Sequence, residues 1–183
     1  MKCLKGRDVR PTADRVKESI FSRICTFLEG ANVLDLYAGS GSLALESISR
    51  GAAGAVCVDN SRKSVTLIHK NIETLGFQAY CRVMNCDAAG AVKKLSDQGE
   101  KFGVVFIDPP YFKTGFFDGK QLDLGTIMLF VLERCDIVSV GGLVLVEHHA
   151  DRGLMYNGTT FKLVNCVKFG GTAVSFFHRE DAT

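Results

Sequence analysis

No stretch of this 183-residue chain approaches the ~18 apolar residues of a membrane span, which argues against a bilayer-spanning role. The leading segment Met1-Lys2-Cys3-Leu4-Lys5-Gly6-Arg7 is basic and lacks the apolar stretch of a secretion signal. Among seven cysteines, at positions 3, 25, 57, 81, 86, 135 and 166, there is no C-x-x-C pair. Their number is odd, and several lie inside apolar runs such as Val56-Cys57-Val58, where cysteine acts as a small hydrophobe. A disulfide framework and a structural zinc site are therefore not expected, and a cytoplasmic location is. Internal repeats, low-complexity tracts and long linkers are also missing. The chain is long enough for one well-buried core and too short for two ordinary domains, so one domain over residues 1–183 is expected. Nothing calls for an obligate partner chain, and a monomer is expected.

What is present is a charge asymmetry and a regular alternation of elements. Residues 1–23 carry seven Lys or Arg against three Asp or Glu, a balance of +4 on a chain of net charge +2. A basic leading segment on a nearly neutral body suggests contact with nucleic acid without requiring it. Val16, Ile20, Phe21, Ile24, Phe27 and Leu28 recur at helical spacing, with Thr12 offered as N-cap and Gly30 as the stop. Short apolar runs then alternate with helical stretches. The strands are read at 33–37, 55–58, 80–84, 102–107 and 143–147, the helices at 43–49, 63–75, 88–95 and 124–135. A final pair, 161–169 and 172–178 around Gly170-Gly171, reads as a β-hairpin. Near-continuous apolar strands separated by helices indicate a parallel sheet covered on both faces. The expected fold is α/β: a seven-stranded, mostly parallel sheet with a C-terminal β-hairpin and an N-terminal helical arm (residues 1–30).

In such a sheet ligands bind beyond the carboxyl ends of the strands. After the first strand, Asp35-Leu36-Tyr37-Ala38-Gly39-Ser40-Gly41 is a glycine-rich turn leading into a helix whose N-terminus suits an anionic group. The third glycine of a dinucleotide fingerprint and the lysine of a P-loop are both missing. Asp59, 20 residues beyond Gly39, stands where an acid accepts hydrogen bonds from both ribose hydroxyls of an adenosine; alternatively it caps the next helix, in competition with Asn60 and Ser61. Asp87, before Ala88, reads as an acceptor for an adenine amino group, as a helix cap, or as both.

The most specific signal is Asp108-Pro109-Pro110-Tyr111 at the end of the fourth strand. An amine on a nucleobase is a poor nucleophile because its lone pair is delocalised into the ring. Acceptors on its two N–H bonds, here the Asp108 carboxylate and the Pro109 carbonyl, let the nitrogen pyramidalise toward a methyl donor. Paired prolines make the loop rigid. Tyr111 offers a face for an unstacked base and for a sulfonium charge. The expected cofactor is S-adenosylmethionine, with Asp108 bordering both cofactor and substrate. Other candidates are weaker. Glu147, His148 and His149 lack further visible metal ligands, His69 lies among polar neighbours, and Ser40 and Ser42 lack a G-x-S-x-G context.

Taken in order, Arg10-Pro11-Thr12-x-x-Arg15-Val16-Lys17-Glu18, Asp35-x-x-Ala38-Gly39-Ser40-Gly41, Arg50-Gly51-Ala52, Asp108-Pro109-Pro110-Tyr111 and Gly171-Thr172 resemble the bacterial small-subunit ribosomal RNA guanine-N2 methyltransferases. The resemblance runs from about Arg10 to Arg179. It implies a Rossmann-like class I methyltransferase fold and methyl transfer to N2 of a guanine in 16S ribosomal RNA, free or in the small subunit. It also implies that Asp35, Tyr37, Ala38, Gly39, Ser40, Gly41, Asp59, Asn60, Asp87 and Ala88 line the cofactor site, and that Arg10, Thr12 and Arg15 border the active site or touch RNA. No metal is implied. The chain departs from the family in carrying Asp59 where Glu is common. Only nine residues precede Arg10 where a longer basic hairpin is usual, so either the RNA is gripped differently or the native start lies upstream. Methylation of adenine N6 in DNA, or of a protein glutamine, remains compatible with the proline loop, as does a non-catalytic RNA-binding assembly factor with the same fold.

Overall fold

The computed structural model describes residues 11–110 and 113–180. Tyr111 and Arg10 lie outside them. The elements run α1 (Pro11–Leu28), β1 (Asn32–Asp35), α2 (Ser42–Ser49), β2 (Gly54–Val58), α3 (Arg62–Leu75), β3 (Cys81–Met84), α4 (Ala88–Asp97), β4 (Phe102–Ile107), β5 (Thr114–Phe117), β6 (Lys120–Asp123), α5 (Leu124–Cys135), β7 (Val138–His149), β8 (Phe161–Phe169) and β9 (Thr172–Arg179).

Seven strands form one sheet in the order β3-β2-β1-β4-β7-β9-β8. The first five are mutually parallel, and β9 runs antiparallel to both β7 and β8. This is the expected seven-stranded, mostly parallel sheet with its terminal hairpin. Side-chain alternation along the strands builds two cores. Val33, Cys57, Val104, Phe106 and Leu145 face α1, α2 and α3, while Leu34, Val56, Val105, Ile107 and Val144 face α4 and α5. Both faces are thus dry, which is why these strands read as apolar throughout. Phe21 of α1 is fully buried and packs on Phe106 of β4 with ring centroids 6.1 Å apart.

Three expectations need correction. Thr12 is not the N-cap: α1 already includes Pro11, whose fixed φ and missing N–H suit the first helical position. β7 spans twelve residues and not five. Its register against β4 shifts between Phe102 and Val104, opposite Gly141 (φ 73°) and Gly142, where a Cβ would lie 2.7 Å from the Ser139 carbonyl oxygen. Glycine there lets the strand bulge and resume pairing. The β5–β6 hairpin was not expected at all. Its turn residues Asp118 and Gly119 have φ 49° and 75°, the double left-handed pair that a two-residue hairpin turn demands.

Candidate active site

β1 and β4 are neighbours in the sheet, yet the chain leaves β1 toward β2 and returns to β4 from β3 on the far side. That reversal opens a crevice at the carboxyl ends of β1 and β4. Both principal motifs end there. Asp35 pairs with Phe106, and the Leu36 N–H donates to the Phe106 carbonyl at 3.1 Å. Asp108 therefore follows β4 immediately beside the start of the glycine turn.

The turn is held from three directions. Gly39 donates its N–H to Asp59 Oδ2 at 2.9 Å, the Ala38 N–H bonds the Val58 carbonyl at 3.0 Å, and the Asn71 side-chain amide donates to the Ser40 carbonyl at 2.9 Å. Gly39 and Gly41 adopt φ of 56° and 79°, which L side chains resist. Gly41 caps α2 without any side-chain cap, so the N–H groups of Ser42 and Leu43 face the place where an anionic ligand would sit, while that of Ala44 turns to Asp35. A Cβ on Gly41 would meet Ile68 Cγ2 at 3.3 Å and Leu45 Cδ1 at 3.4 Å. Gly41→Ala should cost about 1–2 kcal/mol from the left-handed backbone alone, lowering Tm by roughly 2–8 °C. Calorimetry should show weakened S-adenosylmethionine binding alongside. Unchanged Tm and affinity would mean that the turn tolerates side chains.

Asp35 is 1% exposed, and its Oδ1 has no hydrogen-bond partner. Burial, reinforced by the negative Asp59, pushes its carboxyl up to about 7, against the lowering effect of the Ala44 and Tyr37 backbone N–H groups. Asp59 accepts from Ser61 N–H through Oδ1 at 2.8 Å as well as from Gly39 through Oδ2. The cap of α3 is Ser61, whose hydroxyl accepts from Ser64 N–H at 3.4 Å. Each Asp59 oxygen keeps a further lone pair for a hydroxyl donor. Asn60 beside it is exposed. Asp87 does cap α4, with Oδ1 accepting from Gly90 N–H at 2.8 Å, leaving Oδ2 for a ligand amine. The Tyr37 phenol is pushed up to about 12 by burial and then by the charge of Asp87, which places the two near each other. Ala88 contributes its methyl to the second core and can offer a ligand only its backbone.

Asp108 is exposed, Pro109 buried and Pro110 exposed, so the loop is pinned at its middle with the carboxylate at the surface of the crevice. On the adjacent strand Ile107 pairs with Val146, which puts Glu147 level with Asp108. His148 is a packing residue. Its Nδ1 faces two carbonyls, of His149 (3.0 Å) and Arg152 (2.8 Å), and so carries the proton, leaving Nε2 to accept from the Ser175 hydroxyl at 2.8 Å. Arg15 is exposed on α1. It lies six residues before Phe21, about 9 Å further along the helix in the direction of the strands' carboxyl ends, since α1 finishes next to the start of β1. Thr12 stands in the first turn of that helix, and its side chain, like Arg10, falls outside what is described.

Two residues escaped the sequence reading. Asn71 is 2% exposed between buried Ile68 and Ile72; an amide inside an apolar helical stripe was the available signal. Asn85 donates its amide to the Asp59 carbonyl at 2.9 Å, tying the ends of β2 and β3, and carried no signal of its own.

Comparison with known proteins gives a consistent result. The family model described as Conserved hypothetical protein 95 matches residues 1–178. The putative rRNA methyltransferase YlbH of Bacillus subtilis is 32% identical over 181 residues, covering 98% of this chain and 92% of that protein. The ribosomal RNA small subunit methyltransferase D of Escherichia coli K12 is 33% identical over 172 residues, covering 94% and 80%. Among solved structures, the putative methyltransferase yhhF from Escherichia coli superposes with a TM-score of 0.81 at 27% identity, covering 100% of this chain and 92% of that one.

Proposed function

The chain belongs to the family described as Conserved hypothetical protein 95, and we propose that it transfers a methyl group from S-adenosylmethionine to the N2 amine of a guanine in 16S ribosomal RNA. Its sheet is that of the Rossmann-like methyltransferases. The observation that carries the reading is the Asp108-Pro109-Pro110 loop beside the glycine turn across the β1/β4 reversal.

The residues fit the cofactor. The unpartnered, buried Oδ1 of Asp35 suits its ammonium group, and the α2 N-terminus, lacking a side-chain cap, suits its carboxylate. Asp59 would hold the ribose hydroxyls and Asp87 Oδ2 the adenine amine. When bound, the cofactor supplies an electrophilic methyl on a cationic sulfur. The chain supplies the rest. Asp108 and the Pro109 carbonyl would accept the two N–H bonds of the guanine amine, directing its lone pair at the methyl. Asp108 then stands ready to take the surplus proton. Tyr111 would stack on the base, and Arg10, Thr12 and Arg15 would lie along the RNA.

Tritium transfer from labelled cofactor tests the assignment, with unmodified small subunits, free 16S ribosomal RNA and DNA as acceptors and nucleoside analysis of the product. Label in N2-methylguanine from the ribosomal samples is expected. Label only in N6-methyladenine, or none in RNA, would overturn it.

A further inference from the structure

We propose that Glu147 accepts the N1–H of the target guanine and thereby makes the amine site read guanine over the other amine-bearing bases. This inference rests on the guanine reading above and names the residue that would enforce it.

Three acids follow one another across the carboxyl edge of the sheet. β4 lies between β1 and β7, so Asp35 ends the strand on one side of the proline loop and Glu147 stands on the strand at the other. The register gives their faces. Phe106 pairs with Leu145, and both belong to the core that faces α1, α2 and α3. Continuing the pleat by two residues returns Asp108 and Glu147 to that same face. The partner of Glu147 on β9 is Val174, buried in the same core, which fixes the direction of the Glu147 side chain independently. His148 points the other way, to the Ser175 hydroxyl. After buried Leu143 and Leu145, Glu147 is the first polar side chain on this face, half-buried where the strand leaves the core.

Hydrogen-bond chemistry decides which base fits. Neighbouring strands lie about 4.8 Å apart, so the carboxylates of Asp108 and Glu147 can converge on adjacent donors of one ring. A carboxylate has about four acceptor sites, so Glu147 can serve a ligand while keeping other bonds. Two such groups side by side favour an edge that presents N–H donors and disfavour one that presents lone pairs. Among the bases that carry an exocyclic amine, only guanine has an N–H on the ring atom beside it. In adenine and cytosine that ring nitrogen is an acceptor, and its lone pair would face the Glu147 carboxylate. The Asp108 carboxylate and the Pro109 carbonyl suit the two N–H bonds of any amine; Glu147 suits the third donor, which guanine alone provides. Direction agrees as well. With the cofactor held from β1, an amine at the end of β4 turns its ring toward β7.

The test is methyl transfer by the full chain to small subunits reconstituted with guanine or with 2-aminopurine at the position the wild type labels. 2-Aminopurine keeps the C2 amine and replaces the N1–H with a lone pair. The wild type should favour guanine by about 100-fold or more in kcat/KM. Glu147→Gln should lower transfer to guanine by about 10- to 100-fold. Because its amide can turn an N–H toward N1, the variant should also narrow the preference to about 10-fold or less. The different intrinsic reactivity of the two bases is common to both enzymes and cancels in that comparison. Calorimetry should find S-adenosylmethionine affinity within a few-fold of the wild type. A strand-end acid with only a structural role would slow both substrates alike. An unchanged preference in Glu147→Gln, or wild-type transfer to guanine, would overturn the role of Glu147 while N2-methylation by the wild type still stood, as would a loss of cofactor affinity large enough to account for the slower transfer. If the wild type formed no N2-methylguanine in unmodified subunits, the guanine reading would fall, and this inference with it.

Discussion

Replacing Asp108 by alanine should lower methyl transfer to RNA by about 10³-fold, while S-adenosylmethionine binding stays within a few-fold of the parent. The size follows from the role proposed for the carboxylate. One acceptor aimed at charge that develops only during reaction is worth about 10²–10³ in kcat, and a positioned proton acceptor contributes a comparable factor. Binding is spared because Asp35, the glycine turn, Asp59 and Asp87 come from β1, β2 and β3, whereas Asp108 follows β4 and is exposed. Asp108→Asn sharpens the experiment: it keeps an oxygen acceptor, loses the charge and the basic site, and should fall between parent and alanine. Single-turnover transfer with calorimetry of cofactor binding reads both effects. Near-parental turnover in Asp108→Ala would sink the assigned role.

Asp35→Asn should stabilise the cofactor-free protein at pH 8 and destroy its grip on the cofactor. The folded-state carboxyl of Asp35 titrates at about 7 against an ordinary value of 3.8, so the fold favours the protonated form. Below pH 4 the group is protonated in both folded and unfolded chains and costs nothing. As pH rises through 7 the unfolded chain has ionised, the folded chain is forced to follow, and stability falls. The loss approaches about 4 kcal/mol at most. Asparagine removes it, so Tm of the variant should exceed the parent by up to roughly 10 °C at pH 8, with the difference closing near pH 4. Saturating S-adenosylmethionine should reverse the ranking, because its ammonium compensates the carboxylate and finds no charge in the variant. A Tm difference that ignores pH, or equal cofactor affinity in the two proteins, would contradict this account.

Most of the sheet could be read from the chain because its strands are buried on two faces. Phe102–Ile107 is apolar throughout and stops at two prolines, and the boundary came out unchanged. The acids at three strand ends were legible for the same reason: Asp35, Asp59 and Asp108 each interrupt an apolar run, whereas Asp87 follows the short, half-exposed β3 and stands out only by preceding α4. Residues acting across distance in the sequence were less legible. Asn71 holds Ser40 from 31 residues away, and no local pattern announces such a bond. The β5–β6 hairpin was missed because Thr114–Asp123 shows little alternation: of the four positions on its inner face only Phe117 and Leu122 are large and apolar, the others being Gly115 and Lys120. Asp118-Gly119 was its one plain marker. Asp59 shows how a pattern can be right in place and incomplete in content. The acid stands at the expected strand end, where it was read as a ribose acceptor or a helix cap, yet each of its oxygens also accepts a backbone N–H, from Gly39 and from Ser61, and so organises the glycine turn.

The pinned middle of the proline loop bears on where the work of recognition falls. Asp108 leaves a central strand of the sheet, and Lys113 enters an element fastened along α5. Pro109 is buried one residue beyond Asp108, and its ring fixes the backbone at the point where the two proposed acceptors sit. On the function proposed above, the acceptors Asp108 and Pro109 would be in place before RNA binds. The target nucleotide must therefore leave its stack to reach them, at a cost of a few kcal/mol that is smallest where the base is already unpaired. On the function proposed above, selectivity would begin in the RNA, with the ease of unstacking the target base over its neighbours.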